Sequence, residues 1–137
     1  MTKEKSELEK KTEIVVINGN PEFAKGISQL LTDNGYCTYH YDDCNKAFDK
    51  VSELENPYIV SGGFYNEGMI LADFVEKLRE YNPKLLKNIL ILSKHGDRDA
   101  DKIKSWHGIP RDNVFGDSNY SEKNLLNKLK ELVSIGQ

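Results

Sequence analysis

EIVVINGNPEF, residues 13–23, combines a short run of β-branched apolar residues with a polar turn and the start of a helical pattern. Residues 14–17 show no alternation of apolar and polar side chains. This predicts a strand buried on both faces, as in a parallel sheet covered by helices. Asn20 and Pro21 suit the cap and the first position of a helix. The turn at residues 18–20 therefore lies at the carboxyl end of a central strand, where open α/β sheets place their binding sites.

The rest of the chain repeats this order of strand and helix. Further strands are predicted at residues 37–41, 57–62, 88–92 and 114–115. Helices are predicted at 21–34, after Asp42–Asp43, around 74–78, from Asp97 or Asp99 to Trp106, and after Ser121. Gly35 suits the C′ position that ends the first helix. Five strands alternating with five helices predict a three-layer, doubly wound parallel α/β sheet with right-handed crossovers.

Composition limits the classes of function. The 137 residues suit one domain, with a charged N-terminal tail at 1–12 and the folded domain at 13–137. A net charge of −3 without a basic stripe argues against nucleic acid or a membrane surface as partner. No apolar run is long enough to span a bilayer or to form a signal core. Two cysteines are too few for a secreted disulfide scaffold, so we expect a cytoplasmic protein.

Three short segments resemble the receiver domain of bacterial response regulators. They are GY at 35–36, NPYIV at 56–60 and FVEKLR at 74–79. Together with the element order and the length, the resemblance covers about residues 13–134. It implies a flavodoxin-like, receiver-like fold with strand order 2-1-3-4-5 and a site at the carboxyl ends of strands one, three and five.

The resemblance also implies which residues occupy the metal and phosphorylation positions. Receivers hold Mg²⁺ with two acidic residues after strand one and with the phospho-accepting aspartate after strand three. These positions match Asn18, Gly19 and Gly63. Mg²⁺ binding needs carboxylate anchors, and an acyl phosphate forms only on a carboxylate. We therefore predict a degenerate pseudo-receiver that is not an enzyme and has no catalytic residue, bound metal or cofactor.

Two further family positions complete this predicted pocket. The lysine that receivers carry after strand five matches Asp117, or Ser118 if the turn is aligned one residue later. Neither register supplies a lysine. Ser93 keeps the hydroxyl that senses the phosphoryl group, although serine is common wherever a strand ends. We hypothesise that Asp117 pairs with Lys94 and restores the local charge balance.

Three groups of residues suggest other chemistries, and each also has an ordinary structural explanation. Cys37, His40 and Cys44 suggest zinc, but Cys37 and His40 point to opposite faces of a strand. The segment 93–97 contains the residue types of a hydrolase triad, but alternate positions on one loop seldom place a base against its own neighbour. The glycines at 62, 63 and 68 could cradle a phosphate or a flavin, yet they fit no phosphate-binding motif.

A protein partner is the remaining expectation. Receiver-like domains usually meet partners through their fourth helix, fifth strand and fifth helix, and the resemblance places Trp106, Phe115 and Tyr120 on or near that surface. Aromatic residues are common binding hot spots, although Trp106 could equally cover the core beside Ile103. We predict a phosphorylation-independent protein-interaction module in bacterial signalling, motility or scaffolding. The alternative is a small-ligand sensor that uses the emptied pocket.

Overall fold

The computed structural model describes residues 12–18, 21–62, 68–92, 108–115 and 121–136. Five parallel strands form one sheet in the order β2-β1-β3-β4-β5. The strands are β1 (Glu13–Ile17), β2 (Cys37–Tyr41), β3 (Tyr58–Gly62), β4 (Ile89–Leu92) and β5 (Val114–Phe115). The predicted flavodoxin-like architecture and its strand order are therefore confirmed.

Helices cover both faces of the sheet. The α-helices are α1 (Pro21–Asp33), α2 (Cys44–Glu53), α3 (Gly68–Tyr81) and α4 (Glu122–Gly136), with 3₁₀ helices at Pro83–Asn88 and Arg111–Asn113. The helix predicted from Asp97 or Asp99 to Trp106, and residues 1–11 of the predicted tail, lie outside the described residues. In the part of the chain that the structure describes, no helix is long and apolar enough to cross a membrane.

Alternate residues of each strand supply the two apolar layers. Val15, Ile59 and Ile91 belong to the core beneath α2 and α3, together with Val51 and Phe74 of those helices. The opposite core lies beneath α1 and α4 and contains Ile14, Val16, Leu31, Val60, Leu90, Phe115, Leu125 and Leu129. Because both faces are covered, residues 14–17 of β1 and all of β4 are apolar without alternation, whereas the edge strand β2 is only partly buried.

The end of α1 follows the predicted cap chemistry, while the predicted cap residue Asn20 lies outside the described residues. Gly35 has φ +93°, and the Tyr36 N–H donates to the Leu31 carbonyl at 3.1 Å, which closes α1 in a Schellman turn. The Asp43 carboxylate accepts from the backbone N–H groups of Asn45 and Lys46 at the start of α2. These local bonds set where each strand begins and ends, and so where the carboxyl ends of the strands meet.

Tyr58 ties the last helix to the sheet. Its side chain is 3% exposed and its hydroxyl donates to the Leu132 carbonyl of α4 at 3.3 Å. Burial raises the pKa of Tyr58 above its ordinary value, against a smaller lowering by a hydrogen bond with Asn56. Burial, and then the nearby Tyr58, raises the pKa of Tyr36 as well. The fold therefore prefers both tyrosines neutral.

We expect alkaline pH to destabilise the domain through these tyrosines. A raised folded pKa gives stability that is fully present below the unfolded pKa of about 10 and is lost as pH rises through the folded pKa. The unfolding midpoint of Tyr58→Phe should therefore fall less steeply above about pH 10 than that of the wild type. At neutral pH this variant should lose about 1 kcal/mol with its hydrogen bond. Parallel midpoint curves for the two proteins would exclude this role of Tyr58.

Candidate functional site

The candidate site lies where the strands of the sheet end at their carboxyl termini. Of the five predicted pocket residues, Asn18 is described. The other predicted pocket residues, and the proposed partner of Asp117, lie outside the described residues: Gly19, Gly63, Ser93, Lys94 and Asp117. The described part of this edge consists of Asn18 and the last residues of β3, β4 and β5.

Asn18 is held in the sheet although it follows the last residue of β1. Its backbone N–H donates to the Tyr41 carbonyl at 3.0 Å, which extends the pairing of β1 with β2 by one residue. The residue is 8% exposed, so its polar side chain is buried at the carboxyl edge. Burying a carboxamide costs free energy unless its polar atoms have partners, so the groups around the Asn18 side chain determine whether this buried position is stable.

Gly62, at the end of β3, accommodates the Asn18 side chain. The register pairs Ile17 with Ser61, so Asn18 and Gly62 follow as the next residues of neighbouring strands. A Cβ atom built on Gly62 would overlap the Asn18 Nδ2 atom and would lie 3.4 Å from Asn18 Cγ and 3.5 Å from the Leu92 carbonyl oxygen. The carboxamide therefore occupies the space in which any side chain at position 62 would begin.

Gly62 is a site residue that the sequence prediction did not include. The family resemblance placed Gly63 at this edge, and Gly63 lies outside the described residues. The register of β3 against β1 brings Gly62 next to Asn18. The available signal was a glycine in a fully buried strand, which often marks a close approach of another group.

Chemically, the described edge is neutral. The Asn18 carboxamide offers one oxygen acceptor and two N–H donors, and Gly62 offers only backbone. Within the described ranges, no group of three histidine, cysteine, aspartate or glutamate side chains lies close enough to hold a metal ion. This pair of residues therefore supplies neither a carboxylate ligand nor a nucleophile.

A second polar cluster lies at the opposite end of β1 and β2. The Tyr39 hydroxyl donates to Glu13 Oε2 at 3.1 Å and accepts from the Cys37 thiol at 3.5 Å, and Lys50 Nζ lies 4.1 Å from the Tyr39 ring centroid. The hydrogen bonds with Cys37 and Glu13 hold the pKa of Tyr39 above its ordinary value. Cys37 thus bonds along its own face of β2, away from His40.

One residue of the predicted partner face, Phe115, is buried in the structure. Phe115 is 5% exposed and packs with Leu125 and Leu129 of α4. Its ring belongs to the core and does not form part of an exposed aromatic surface, because it is buried in the apolar layer beneath α1 and α4. The other two residues of the predicted face, Trp106 and Tyr120, lie outside the described residues.

Comparison with known proteins gives the fold. No protein-family model and no curated protein sequence matches the chain. The beryllofluoride-activated receiver domain of NtrC4, solved as a dimer, is 20% identical, with 87% of this chain and 93% of that chain covered and a TM-score of 0.67. Chemotaxis response regulator CheY4 of Vibrio cholerae is 17% identical, with coverages of 88% and 98% and a TM-score of 0.67. A sensor protein from Polaromonas sp. JS666 is 13% identical, with coverages of 88% and 94% and a TM-score of 0.71.

The chain has the receiver fold. Identities of 13–20% establish this architecture and leave the chemistry to the residues of the chain itself. In the receiver fold, the strand order reverses direction between β1 and β3, and ligands bind at that switch point. Asn18 and Gly62 end these two strands, so together they form the described centre of the switch point.

Proposed function

We propose that this domain is a phosphorylation-independent protein-interaction module in bacterial signal transduction, motility or scaffolding, acting in the cytoplasm and not as an enzyme. The receiver fold supports a role in signalling. The observation that carries the proposal is the neutral carboxamide of the buried Asn18 at the carboxyl edge of the sheet, where the family resemblance calls for a carboxylate. The fold is kept while the described switch point lacks the groups that phosphoryl transfer requires.

Metal binding is disfavoured at this point of the fold. Mg²⁺ requires near-octahedral oxygen coordination anchored by one or two carboxylates. The matching residues are Asn18, a neutral amide, and Gly19, which has no side chain. Without the metal, the negative charge of an incoming phosphoryl group would not be neutralised.

The nucleophile is missing in either alignment of the third strand. The family resemblance matches the phospho-accepting aspartate to Gly63, and a shift of one residue would match it to Gly62. Both are glycines, so no acyl phosphate can form there. After the fifth strand, Asp117 or Ser118 replaces the family's lysine. The proposed ion pair between Asp117 and Lys94 would stabilise the fold and would take no part in catalysis.

For the partner surface, we propose Trp106 and Tyr120 as aromatic anchors. Aromatic side chains bury a large area at low cost in conformational entropy, and they are enriched in hot spots. Since Phe115 belongs to the core, the anchors come from the two segments that flank β5 and not from the strand itself.

Affinity capture tests this function. We expect the intact domain to retain a specific protein from a bacterial lysate, and Trp106→Ala/Tyr120→Ala to lose it. The matched control is Phe23→Ala/Tyr81→Ala, which removes two aromatic side chains that are 40% and 48% exposed elsewhere on the surface. The control should retain the partner, and acetyl phosphate with Mg²⁺ should not change the amount captured.

Two results would contradict the proposal. If capture depended on acetyl phosphate, the domain would act through phosphorylation. If both double variants lost the partner equally, Trp106 and Tyr120 would not form a specific partner surface.

The small-ligand alternative predicts a different result. A ligand at a hundred times its Kd should stabilise the folded state by about 2.7 kcal/mol in thermal unfolding with nucleotides, flavins or Mg²⁺.

A further inference from the structure

We infer that the Asn18 carboxamide is a built-in occupant of the switch-point pocket, admitted by the missing side chain of Gly62. The Asn18 side chain permanently fills this part of the site, so the fold needs no bound ligand there. The inference deepens the proposed function and rests on it, because it explains how the receiver fold is kept without a metal or phosphoryl group.

The contacts of the carboxamide carry this inference. Position 62 has room for the Asn18 Nδ2 atom only because a side chain is missing there, and the Asn18 Cγ atom and the Leu92 carbonyl oxygen approach the same point within 3.4 and 3.5 Å. Residues from β1, β3 and β4 therefore converge on one small volume. With Asn18 only 8% exposed, that volume is closed from the solvent by the chain itself.

A glycine at position 62 should destabilise the folded strand unless its contact with Asn18 compensates. Gly62 is the last residue of β3, and a glycine in a strand loses more conformational entropy on folding than other residues and packs no side chain. Its backbone adopts no positive φ, so conformation gives no reason for a glycine here. The close approach of Asn18 gives one, and the two residues therefore form a matched pair.

A double-mutant cycle between Gly62→Ala and Asn18→Ala tests the pair. In the wild type, Gly62→Ala should lower the unfolding midpoint by about 4–12 °C, the range expected for overpacking a well-packed site in a domain of this size. In the Asn18→Ala background the same substitution should change the midpoint by less than about 2 °C, because the remaining contact at 3.5 Å is ordinary.

Gly26→Ala is the matched control. Gly26 is exposed in α1, and a Cβ atom there would meet nothing within 4 Å. This substitution should raise the midpoint by about 2–4 °C in both backgrounds, since alanine is the better helix former. Equal effects of Gly62→Ala in the two backgrounds would overturn the inference.

A measurement on the unmodified domain keeps the test independent of folding defects. Nuclear Overhauser contacts are expected between the Asn18 side-chain amide protons and an α-proton of Gly62. Their absence would overturn the inference even if Gly62→Ala failed to fold. Neither result alters partner capture, so a failed Asn18–Gly62 pair would leave the proposed function standing. Conversely, a failed capture experiment would leave the pair in place.

Discussion

Phe74→Ala is expected to lower the free energy of unfolding by about 3–5 kcal/mol, the usual cost of truncating a buried phenylalanine. Phe74 is 1% exposed in the core beneath α2 and α3. Its ring meets the Phe48 ring edge-to-face with centroids 6.4 Å apart, an arrangement that adds to simple burial. The variant loses apolar burial, the ring pair and the packing that joins the two helices.

Urea unfolding with Phe23→Ala as control measures this effect. The control removes the same side chain from a position that is 40% exposed on α1, so its cost should stay below about 1 kcal/mol. A loss of less than about 1.5 kcal/mol in Phe74→Ala would contradict the assignment of this ring to the core. The urea m-value shows whether the unfolding reactions are comparable.

Asn113→Asp should cost about 3–5 kcal/mol at pH 7 while hardly changing the shape of the side chain. Asn113 is fully buried, and its Nδ2 group donates to the Lys87 and Ile89 carbonyls, each at 3.0 Å. These two bonds connect the residue that precedes β5 with the segment that leads into β4. A carboxylate cannot donate, so the variant would bury a charge against two carbonyl oxygens.

The pH dependence separates this charge effect from a packing defect. Burial should raise the folded pKa of the new carboxyl above the unfolded value of about 3.9. The charge part of the destabilisation is then absent below that unfolded value and grows as pH rises through the folded pKa, while the loss of one hydrogen bond remains because a protonated carboxyl has a single O–H donor. Asp112→Asn changes the exposed neighbour and should stay within about 0.5 kcal/mol at both pH 4.5 and pH 7. A loss in Asn113→Asp that does not vary with pH would rule out the charge explanation.

Much of the fold was predictable because the strands are buried on both faces. Residues 14–17 are apolar throughout, and the structure buries them to between 0% and 5% exposure. Gly35 and Ser121 were predictable from cap chemistry, and the Asn124 N–H does donate to Ser121 Oγ at 3.0 Å. Local patterns of this kind depend on near neighbours in the chain, which the sequence contains directly.

Short elements were harder to predict. The two residues of β5 are too few to show a period, so the sequence did not reveal that Phe115, which the family resemblance placed on or near the partner surface, is buried. The 3₁₀ helix Pro83–Asn88 was not predicted either. The burial of Leu85 and Leu86 in this helix depends on packing against distant strands, which no local pattern reveals.

The sequence predicted that Asn18 lies at the carboxyl edge of the sheet, but it did not predict the contact between Asn18 and Gly62. Asn18 was identified because it follows a buried strand, which is a local signal. The contact with Gly62 depends on the register between β1 and β3, and two successive glycines leave that register open in the sequence. A one-residue difference reverses the direction of every side chain in a strand, so only the assembled sheet could show that Gly62 lies beside Asn18.

The central claim is that the switch point takes no metal or phosphoryl group, and an amide NMR titration tests it most directly. The ¹⁵N-labelled domain is titrated with MgCl₂ and then with beryllofluoride, alongside the NtrC4 receiver domain, whose beryllofluoride-activated form is known. The account predicts unchanged resonances for Asn18 and Gly62 in this domain, while the NtrC4 spectrum changes. Saturable shifts at Asn18 and Gly62 would contradict it and would restore a phosphoryl-sensing role.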